Sequence, residues 1–369
     1  METRLPVIST DTLREWLEND KPVNVVDVRP TQEHAEWHIP GSIHIDAYDK
    51  LKAGNGDALQ GLLIDKNIPV VTVCAGGKTS LIAAEQLRQK GYEAYSLEEG
   101  MRGWSLSWNT AQISFPDFSI TQLRRTGKGC LSYIISSKGE AIVIDASLPV
   151  NVYQDILLNN NWSLRAVLET HIHADHLSRS KQLAEVNAVP VYIPQTDKVE
   201  YPHETIIDQQ QIPLGAITIL VMHTPGHTLE STSFLVNNKV LLSGDTLFTN
   251  AVGRPDLKAS EEETLKKTTL LYQSLQKLLG LSDEIIVLPA HTSQPVEFDK
   301  KPVQATLKEI RTAVPLLKLT EKEFVETLLS RIPPAPANYL SIVEKNTKGD
   351  FSGINPVDLE AGANRCAIS

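Results

Sequence analysis

Histidine and aspartate residues are concentrated in one short segment near the middle of the chain. Residues 170–176 have the sequence THIHADH and follow the apolar run 166–168, which predicts a strand. Four side chains in this segment could bind a metal ion: His171, His173, Asp175 and His176. They do not fit an ordinary core, because burying so many polar groups without partners is too costly. The segment therefore predicts a metal centre.

Three more candidate ligands lie further along the chain, each just after a predicted strand. They are His227 in TPGHT, Asp245 in LLSGDTLF and His291 in IIVLPAHT. Side chains at the ends of several strands converge in space, as a metal cage requires. Imidazoles and carboxylates without cysteine suit zinc, iron or manganese.

One division of these ligands gives a site for two Zn(II) ions, with Asp245 bridging them. The first zinc is bound by His171, His173 and His227. The second is bound by Asp175, His176 and His291. Such a site lowers the pKa of a bridging water and hydrolyses esters, thioesters or amides.

The other division gives a site for a single Fe(II), bound by His171, His227 and Asp245. Two histidines and one carboxylate leave three positions of the iron open, so that O₂ and a substrate can bind together. The remaining candidates then surround the iron and orient its ligands. They are His173, Asp175, His176 and His291. The residues alone are compatible with both metals.

A cysteine marks a second candidate site nearer the N-terminus. Cys74 ends the β-branched run 69–73 and opens a glycine-containing loop that leads into an amphipathic helix. The loop N–H groups and the helix N-terminus predict an anion cradle. Its members are Gly76, Gly77, Thr79 and Ser80. With the positive charge of Lys78, this arrangement favours a thiolate or a persulfide anion on a catalytic Cys74.

The two candidate sites lie in parts of the chain with different patterns of strands and helices. Residues 1–108 alternate short strands and helices, which predicts a small parallel sheet with flanking helices. Residues 109–118 have mixed polarity and are interpreted as a linker. Residues 119–300 contain hairpins with helices between them, typical of an αββα sandwich, and residues 301–369 predict a helical extension and a tail.

Composition excludes several other classes of protein. The 369 residues are 41% hydrophobic and carry a net charge of −10, so the chain is a globular protein without a basic surface for nucleic acid or anionic lipid. No apolar run is long enough to span a membrane and the N-terminus has no apolar leader, so we expect a cytoplasmic protein. Three cysteines make no disulfide framework, and Cys130, in CLSYII, is expected to be an inert core thiol.

The first half of the chain resembles the rhodanese family over about residues 5–108. The resemblance depends on VVDVRPTQEHAEWHIPGSIHI, which contains Asp27 and Arg29, and on CAGGKTS. Its active loop, residues 74–79, has the length found in sulfurtransferases rather than in phosphatases of the same fold. The resemblance implies that Cys74 carries sulfane sulfur as a persulfide. Rhodaneses often have arginine where Lys78 stands, which favours a persulfide over thiosulfate as the donor.

The second half resembles the metallo-β-lactamase superfold over about residues 119–300, through HIHADH, His227, Asp245 and His291. The stretch GDTLFTNAVGRPDL further resembles the persulfide dioxygenases, and the tail residues 364–366 resemble the end of several such enzymes. This resemblance implies one Fe(II) per chain, a catalytic Asp175, and Arg254 in the substrate cradle. The rhodanese domain comes first here, whereas such fusions usually begin with the oxygenase.

These features predict a bifunctional enzyme of sulfur metabolism. The metal domain would oxidise a thiol persulfide, such as glutathione persulfide, with O₂ to sulfite, and the rhodanese domain would move sulfur between persulfide, sulfite and thiosulfate. Neither nucleic acid nor a membrane is expected as a partner, and a homo-oligomer is compatible with the sequence. One alternative is a glyoxalase II-like dizinc thioester hydrolase with an accessory rhodanese domain. Another is a persulfide carrier or sensor attached to an inactive metal domain.

Overall fold

A computed structural model describes residues 6–336, 338–362 and 366–368. The N-terminal domain contains ten short elements. They are β1 (Val7–Ile8), α1 (Thr10–Glu18), β2 (Asn24–Asp27), α2 (Thr31–Glu36), β3 (Ile43–His44), α3 (Tyr48–Lys52), β4 (Val70–Val73), α4 (Lys78–Gln89), β5 (Ala94–Leu97) and α5 (Gly100–Trp104). The five strands form one parallel sheet in the order β1-β5-β4-β2-β3. This is the small parallel sheet with flanking helices that the sequence predicts.

Every residue of the central strand β4 is buried, because helices cover both faces of a parallel sheet. Its sequence, VVTV, is accordingly a continuous β-branched run rather than an alternating one. Cys74 follows β4 directly, and α4 begins four residues later at Lys78. The fold therefore places Cys74 at the carboxyl end of the sheet, beside the N-terminus of a helix.

The second domain begins at β6 and contains most of the remaining strands. They are β6 (Asn109–Ser114), β7 (Ser119–Arg124), β8 (Leu131–Ser137), β9 (Glu140–Ile144), β10 (Ser163–Leu168), β11 (Val191–Pro194), β12 (Glu204–Ile206), β13 (Gln211–Leu214), β14 (Ile217–His223), β15 (Thr232–Val236), β16 (Val240–Gly244), β17 (Val252–Gly253), β18 (Ile286–Pro289), β19 (Ala305–Thr306) and β20 (Ala367–Ile368). Its helices are α6 (Val150–Asn159), α7 (Ser180–Asn187) and α8 (Glu261–Leu279).

Two mixed sheets of this domain pack face to face. One has the order β12-β11-β10-β9-β8-β7-β6 and the other β13-β14-β15-β16-β18-β19. Side chains from both sheets, among them Ile135, Phe234 and Leu242, form one buried core between them. Helices α6 and α7 contribute to a cluster on the outer face of the first sheet, and α8 to a cluster on the second. The αββα sandwich is thereby confirmed.

Residues 109–118 do not form the expected linker. Residues Asn109–Ser114 form β6, which pairs with β7 at the edge of the seven-stranded sheet. The reason is a short alternation in which Asn109 and Ala111 are buried and Gln112 is exposed. Polar side chains at an edge strand concealed this period of two in the sequence.

The C-terminal extension is helical and folds back onto the second domain. It contains α9 (Leu307–Ala313), a 3₁₀ helix (Pro315–Lys318), α10 (Glu321–Ser330), α11 (Tyr339–Lys348) and α12 (Pro356–Glu360). Capping boxes at Thr306 and Thr320 start α9 and α10, since each threonine bonds a glutamate three residues later. The final strand β20 pairs antiparallel with β17. This pairing returns the tail to the centre of the domain.

The two domains meet at the loop that precedes β8. The indole of Trp37, from the first domain, donates a hydrogen bond to the carbonyl of Thr126 at 3.0 Å. Arg125 donates to the carbonyl of Ser105 at 2.7 Å and forms a fully buried ion pair with Glu360 at 2.6 Å. The loop is thus held by the first domain and by the C-terminal extension at once. Within the part of the chain that the structure describes, no helix is long and apolar enough to cross a membrane.

Candidate metal centre and sulfurtransferase loop

Three of the expected metal ligands meet at one end of the sandwich. His171 follows β10, His227 follows β14, and Asp245 follows β16 directly. Their donor atoms all lie within 4.8 Å of one another. The Oδ2 atom of Asp245 is 3.8 Å from Nε2 of His171 and 3.5 Å from Nε2 of His227. Strands from both sheets therefore bring two imidazoles and one carboxylate to a common point.

Neighbouring groups set the orientation of both imidazoles. Nδ1 of His171 lies 2.9 Å from the hydroxyl of Thr170, and Nδ1 of His227 donates to the carbonyl of Arg254 at 2.7 Å. In each ring the bonded nitrogen faces away from Asp245, so that Nε2 faces toward it. Partners of this kind orient histidine ligands in metal sites. Burial also lowers the pKa of both histidines, which favours the neutral form that binds metals.

The facing atoms fit a metal ion. Nε2 of His171 and Oδ2 of Asp245 are buried and have no hydrogen-bond partner among the described residues. Unpaired buried polar atoms are costly, and a cation among them would satisfy both. Two imidazoles and a carboxylate suit iron or zinc. Metal binding by this domain is therefore consistent with its own buried donors.

His291 lies between two carboxylates. Its Nδ1 is 2.5 Å from Oδ1 of Asp245, and its Nε2 is 2.8 Å from Oδ2 of Asp175. Burial by itself would lower the pKa of His291, but Asp175 and Asp245 together hold that pKa well above its usual value. The ring thus links the triad to Asp175 while both of its nitrogens face oxygen atoms.

His173 faces a separate pair of acidic groups. Its Nε2 lies 2.9 Å from Glu169 and 3.2 Å from Asp145, while its Nδ1 has no hydrogen-bond partner among the described residues. Burial by itself would raise the pKa of Asp145, but His173 holds that pKa at about 2. Asp145 also accepts from the backbone and hydroxyl of Thr170, next to His171. Asp145 and Glu169 were missed in the sequence, although Asp145 follows a strand as the ligands do.

The interpretation of Cys130 as an inert core thiol is wrong. The residue is buried, but its thiol donates to Asp175 at 3.2 Å and belongs to a donor cluster. The members of this cluster are Cys130, Asp175, His176 and His291. Burial and Asp175 would raise the pKa of Cys130, but His176 and His291 lower it to about 7. The expected second group of metal ligands is therefore assembled, with a thiol added to it.

The tail brings a second thiol to the site. Cys366 is buried, and its sulfur lies within 4.8 Å of donor atoms of Asp245 and His291. The carbonyl of Cys366 accepts from the backbone of Arg254 at 3.0 Å, beside the β17–β20 pair. The tail motif quoted above includes Asn364 and Arg365, which lie outside the described residues.

The side chain of Arg254, which was expected in a substrate cradle, contacts other groups of the protein. It is fully buried, forms a two-pronged ion pair with Asp256 and donates to the carbonyls of Pro333 and Pro334. This guanidinium ties the GRPD turn to the C-terminal extension instead of facing a ligand. The backbone carbonyl of Arg254 orients His227, so the residue supports the site indirectly.

A cavity of about 160 Å³ opens beside His227. Its walls include apolar side chains and four lysines: Lys198, Lys258, Lys266 and Lys267. Lys267 is 7% exposed, and burial lowers its pKa to about 8. His227 is the member of the triad that lines this cavity.

The expected residues of the cysteine loop also lie together. The Cys74 thiol is buried and accepts a hydrogen bond from the Ser80 hydroxyl at 3.3 Å, which in turn contacts Ser96 at 2.8 Å. Gly77 has φ of +83° and caps the N-terminus of α4. Gly76 and Lys78 are exposed, while Thr79 is buried in the first turn. The thiol therefore lies beneath a polar loop at a helix N-terminus, as an anion cradle requires.

The far side of this loop is held by α5. The backbone N–H groups of Met101 and Arg102 donate to the carbonyls of Cys74 and Ala75 at 2.8 and 3.0 Å. A side chain at Gly100 would lie 2.1 Å from the Cys74 carbonyl, so only glycine allows this approach. Asp27 and Arg29, at the end of β2, form a buried ion pair, and Arg29 also donates to the carbonyl of Trp37. Their role in this domain is structural.

Comparisons with known proteins agree with these two halves. Residues 9–107 match the rhodanese-like domain, and residues 125–291 match the metallo-beta-lactamase superfamily. The hydroxyacylglutathione hydrolase of Idiomarina loihiensis is 32% identical over 191 residues, which cover 51% of this chain and 72% of that protein. The hydroxyacylglutathione hydrolase of Francisella tularensis subsp. novicida is 33% identical over 162 residues, which cover 43% of this chain and 61% of its own length. The chain belongs to the metallo-β-lactamase superfamily and has a rhodanese-like domain in front of that fold.

Solved structures show the same fold. A metallo-beta-lactamase from Staphylococcus aureus superposes with a TM-score of 0.59 and 25% identity, covering 65% of this chain and 75% of that one. ETHE1 from Myxococcus xanthus superposes with a TM-score of 0.55 and 24% identity, covering 62% of this chain and 97% of that one. At these identities the comparison establishes the architecture, while the reaction depends on the site.

Proposed function

We propose that the protein is a bifunctional enzyme of sulfur metabolism. Its metal domain oxidises a low-molecular-weight thiol persulfide to sulfite, and its rhodanese domain transfers sulfane sulfur through Cys74. The position of His291 carries the first part of this proposal. Because Nδ1 of His291 is held by Oδ1 of Asp245 at 2.5 Å, we take His291 as an orienting residue, and His171, His227 and Asp245 form a compact set of three donors. Three donors suit one Fe(II) with open positions better than two bridged zinc ions.

The proposed oxygenation balances as persulfide, O₂ and water giving thiol, sulfite and two protons. Both oxygen atoms of O₂ and the oxygen of water end on the terminal sulfur, which is oxidised while the O–O bond breaks. The S–S bond breaks as well, so that the inner sulfur leaves as the thiol and the outer sulfur leaves as sulfite. A bound Fe(II) would supply the redox chemistry and the positions at which O₂ and the persulfide meet. His171, His227 and Asp245 would hold the ion.

The surrounding residues of the chain keep those donors in place. Asp175 contacts His291, and His291 contacts Oδ1 of Asp245, which leaves Oδ2 as the oxygen nearest the histidines. The buried carboxylate of Asp175 also accepts a hydrogen bond from Cys130. A proton released from a bound persulfide would therefore have acceptors nearby, since Asp175, His291 and Asp245 contact one another in turn.

The rhodanese half would use the sulfite so formed. A persulfide on Cys74 would give its outer sulfur to sulfite, so that the S–S bond breaks, thiosulfate forms and the thiol is restored. The Ser80 hydroxyl, 3.3 Å from the sulfur, would support the thiolate. Lys78 is exposed at the start of α4, where its charge would attract an anionic acceptor.

The decisive experiment uses the full-length protein purified without oxygen. Metals are counted per chain, and O₂ uptake and sulfite release are followed with glutathione persulfide. About one iron per chain, with sulfite and O₂ in equal amounts, is the expected result. Two zinc ions per chain and no O₂ uptake would overturn the oxygenase half of the proposal.

A second candidate is a dizinc thioester hydrolase. The similarity to hydroxyacylglutathione hydrolases favours it, together with the neighbouring donors Asp175, His176 and His291. Cleavage of S-lactoylglutathione by the same preparation distinguishes the two, since hydrolysis requires water but no O₂. Thioester cleavage with two zinc ions supports the hydrolase.

A further inference from the structure

We propose that the cavity beside His227 contains an anion-binding subsite, in which Lys267 and Lys198 hold a carboxylate or phosphate of the thiol that carries the persulfide. This inference rests on the proposed function in one respect: the sulfur that reacts is taken to be that of a persulfide. The binding of an anionic thiol at this place can be tested without any turnover.

The cavity reaches one of the proposed metal ligands, His227. His227 lines its inner end, and Lys198, Lys258 and Lys266 are exposed residues in its walls. Apolar side chains provide most of the remaining surface, among them Ile172, Leu229 and Leu257. Leu229 is 44% exposed, so part of this apolar wall faces solvent. A ligand that reaches the triad from this side therefore passes between an apolar wall and several cations.

Lys267 is the buried cation of the cavity. It extends from α8, and its side chain is only 7% exposed. Its ammonium group donates one long hydrogen bond, 3.5 Å, to the carbonyl of Leu257. Among the described residues, no carboxylate lies within ion-pair distance of this group. A buried ammonium with so little compensation is unfavourable, and an entering anion would compensate it.

Two acidic side chains also line the cavity, but both have other partners. Glu230 is buried, accepts from the backbone of Ile172 at 3.4 Å and lies 3.6 Å from Lys198, so an entering anion would share Lys198 with Glu230. Glu263 accepts from the backbone of Ser260 at 2.9 Å and so closes the capping box of α8. Glu230, Glu263 and Asp256 favour the charged form of Lys267, but none of these carboxylates is within ion-pair distance of its ammonium group. The lining of the cavity contains four lysines and two glutamates, so it carries an excess of positive charge. The whole chain, by contrast, has a net charge of −10.

This combination selects the class of ligand. An apolar wall with a buried cation suits a small thiol that has an aliphatic or peptide body and an anionic group. A neutral thiol would leave Lys267 without a partner, and a cationic one would be repelled. Because hydrogen bonds to charged groups are strong, loss of the anionic group should weaken binding by about 10–100-fold.

Binding to the metal-loaded protein is measured calorimetrically with three thiols. Glutathione has two carboxylates, its diethyl ester has none, and coenzyme A has phosphates instead. We expect glutathione or coenzyme A to bind at least about tenfold more tightly than the ester. The tighter of the two identifies whether carboxylate or phosphate is the source of the anion. Equal binding of all three thiols would overturn the subsite.

Variants then assign the effect to residues. Lys267→Met should abolish the preference for the anionic thiol, Lys267→Arg should retain it, and Lys322→Met, at an 85% exposed lysine on α10, should leave it unchanged. If Lys267→Met does not fold, Lys198→Met tests the outer cation, since Lys198 is exposed and tolerant of change. The proposal is contradicted if Lys267→Met folds and still prefers the anionic thiol over the ester. If only Lys198→Met folds, the same result in that variant contradicts it.

Failure of the subsite can be distinguished from failure of the proposed function. If the binding preference depends on Lys267 but glutathione persulfide causes no O₂ uptake, the subsite stands and the oxygenase does not. If O₂ uptake is equal with glutathione persulfide and its diethyl ester, the oxygenase stands and the subsite is wrong.

Discussion

Nδ1 of His291 lies 2.5 Å from Oδ1 of Asp245, so this oxygen of the carboxylate is occupied by His291. The other oxygen, Oδ2, lies nearest to His171 and His227 and has no hydrogen-bond partner among the described residues. Asp245 can thus act as a single-oxygen ligand to one ion. In a dizinc site the same histidine would have to turn a nitrogen toward the second metal.

The first prediction follows from this relationship. In His291→Ala, one iron per chain should remain, because the three proposed ligands are untouched. Turnover should fall by about 10–100-fold, as is typical when a residue that orients a ligand is removed. The measurement is metal content per chain together with O₂ uptake.

His223→Ala is the matched control, since His223 is exposed at the end of β14 and should change neither quantity. A fall from two zinc ions to one in His291→Ala would instead show that His291 is a ligand, and would support the hydrolase.

The second prediction separates the two halves of the chain. Cys74→Ser should abolish sulfur transfer to cyanide or sulfite, because serine cannot carry a sulfane sulfur. Metal content and O₂ uptake should stay at their original levels, since the thiol lies in the rhodanese domain. The assay is thiocyanate or thiosulfate formation beside O₂ uptake. Retained transfer in Cys74→Ser would rule out Cys74 as the carrier.

Much of this architecture could be predicted from the sequence because its signals are local. The strand before Cys74 is a run of buried β-branched residues, and each proposed metal ligand follows such a run. Residue type and position after a strand together predict that His171, His227 and Asp245 come close to one another, as their donor atoms do. The edge strand β6 was missed because it has a short, mostly polar alternation that resembles a linker.

The surroundings of the site could not be predicted, because they depend on contacts between distant parts of the chain. Asn346, in α11, donates to the carbonyls of His173 and His176 at 2.8 Å. Glu360, in α12, accepts from the backbone of Leu177 at 2.8 Å. Cys130 and Cys366 likewise approach the site only in the folded chain. No spacing in the sequence connects the partners of these backbone hydrogen bonds, which are 170–183 positions apart.

The third prediction concerns the triad itself. Asp245→Ala should lose the metal and the oxygenase activity together, because it removes the one carboxylate between His171 and His227. Thiosulfate formation through Cys74 should persist when sulfite and a sulfur donor are supplied. Asp117→Ala, at an exposed position, is the control for a lost carboxylate. Full metal occupancy in Asp245→Ala would show that the ligand assignment is wrong.

The last prediction concerns the buried charges that hold the extension. Glu360 pairs with Arg125 at 2.6 Å and with Arg179 at 3.2 Å, and all three side chains are buried. Glu360→Gln should lower the free energy of unfolding by about 3–5 kcal/mol, because it leaves two guanidinium groups without their carboxylate. Thermal or urea unfolding measures the loss, and Glu326→Gln, at an exposed position on α10, is the control.

The pH dependence of this pair provides a second check. Burial would raise the pKa of Glu360, but Arg125 and Arg179 hold it below its ordinary value of 4.5. A carboxylate whose pKa is lowered by folding stabilises the protein above its unfolded pKa, and that contribution is lost as the pH falls through the lower, folded value. The free energy of unfolding of the natural chain should therefore exceed that of Glu360→Gln by a constant amount from about pH 7 to pH 5. This difference should decrease below about pH 4.5. If the difference in the free energy of unfolding stays unchanged down to pH 3, the ion pair is not the cause of that difference.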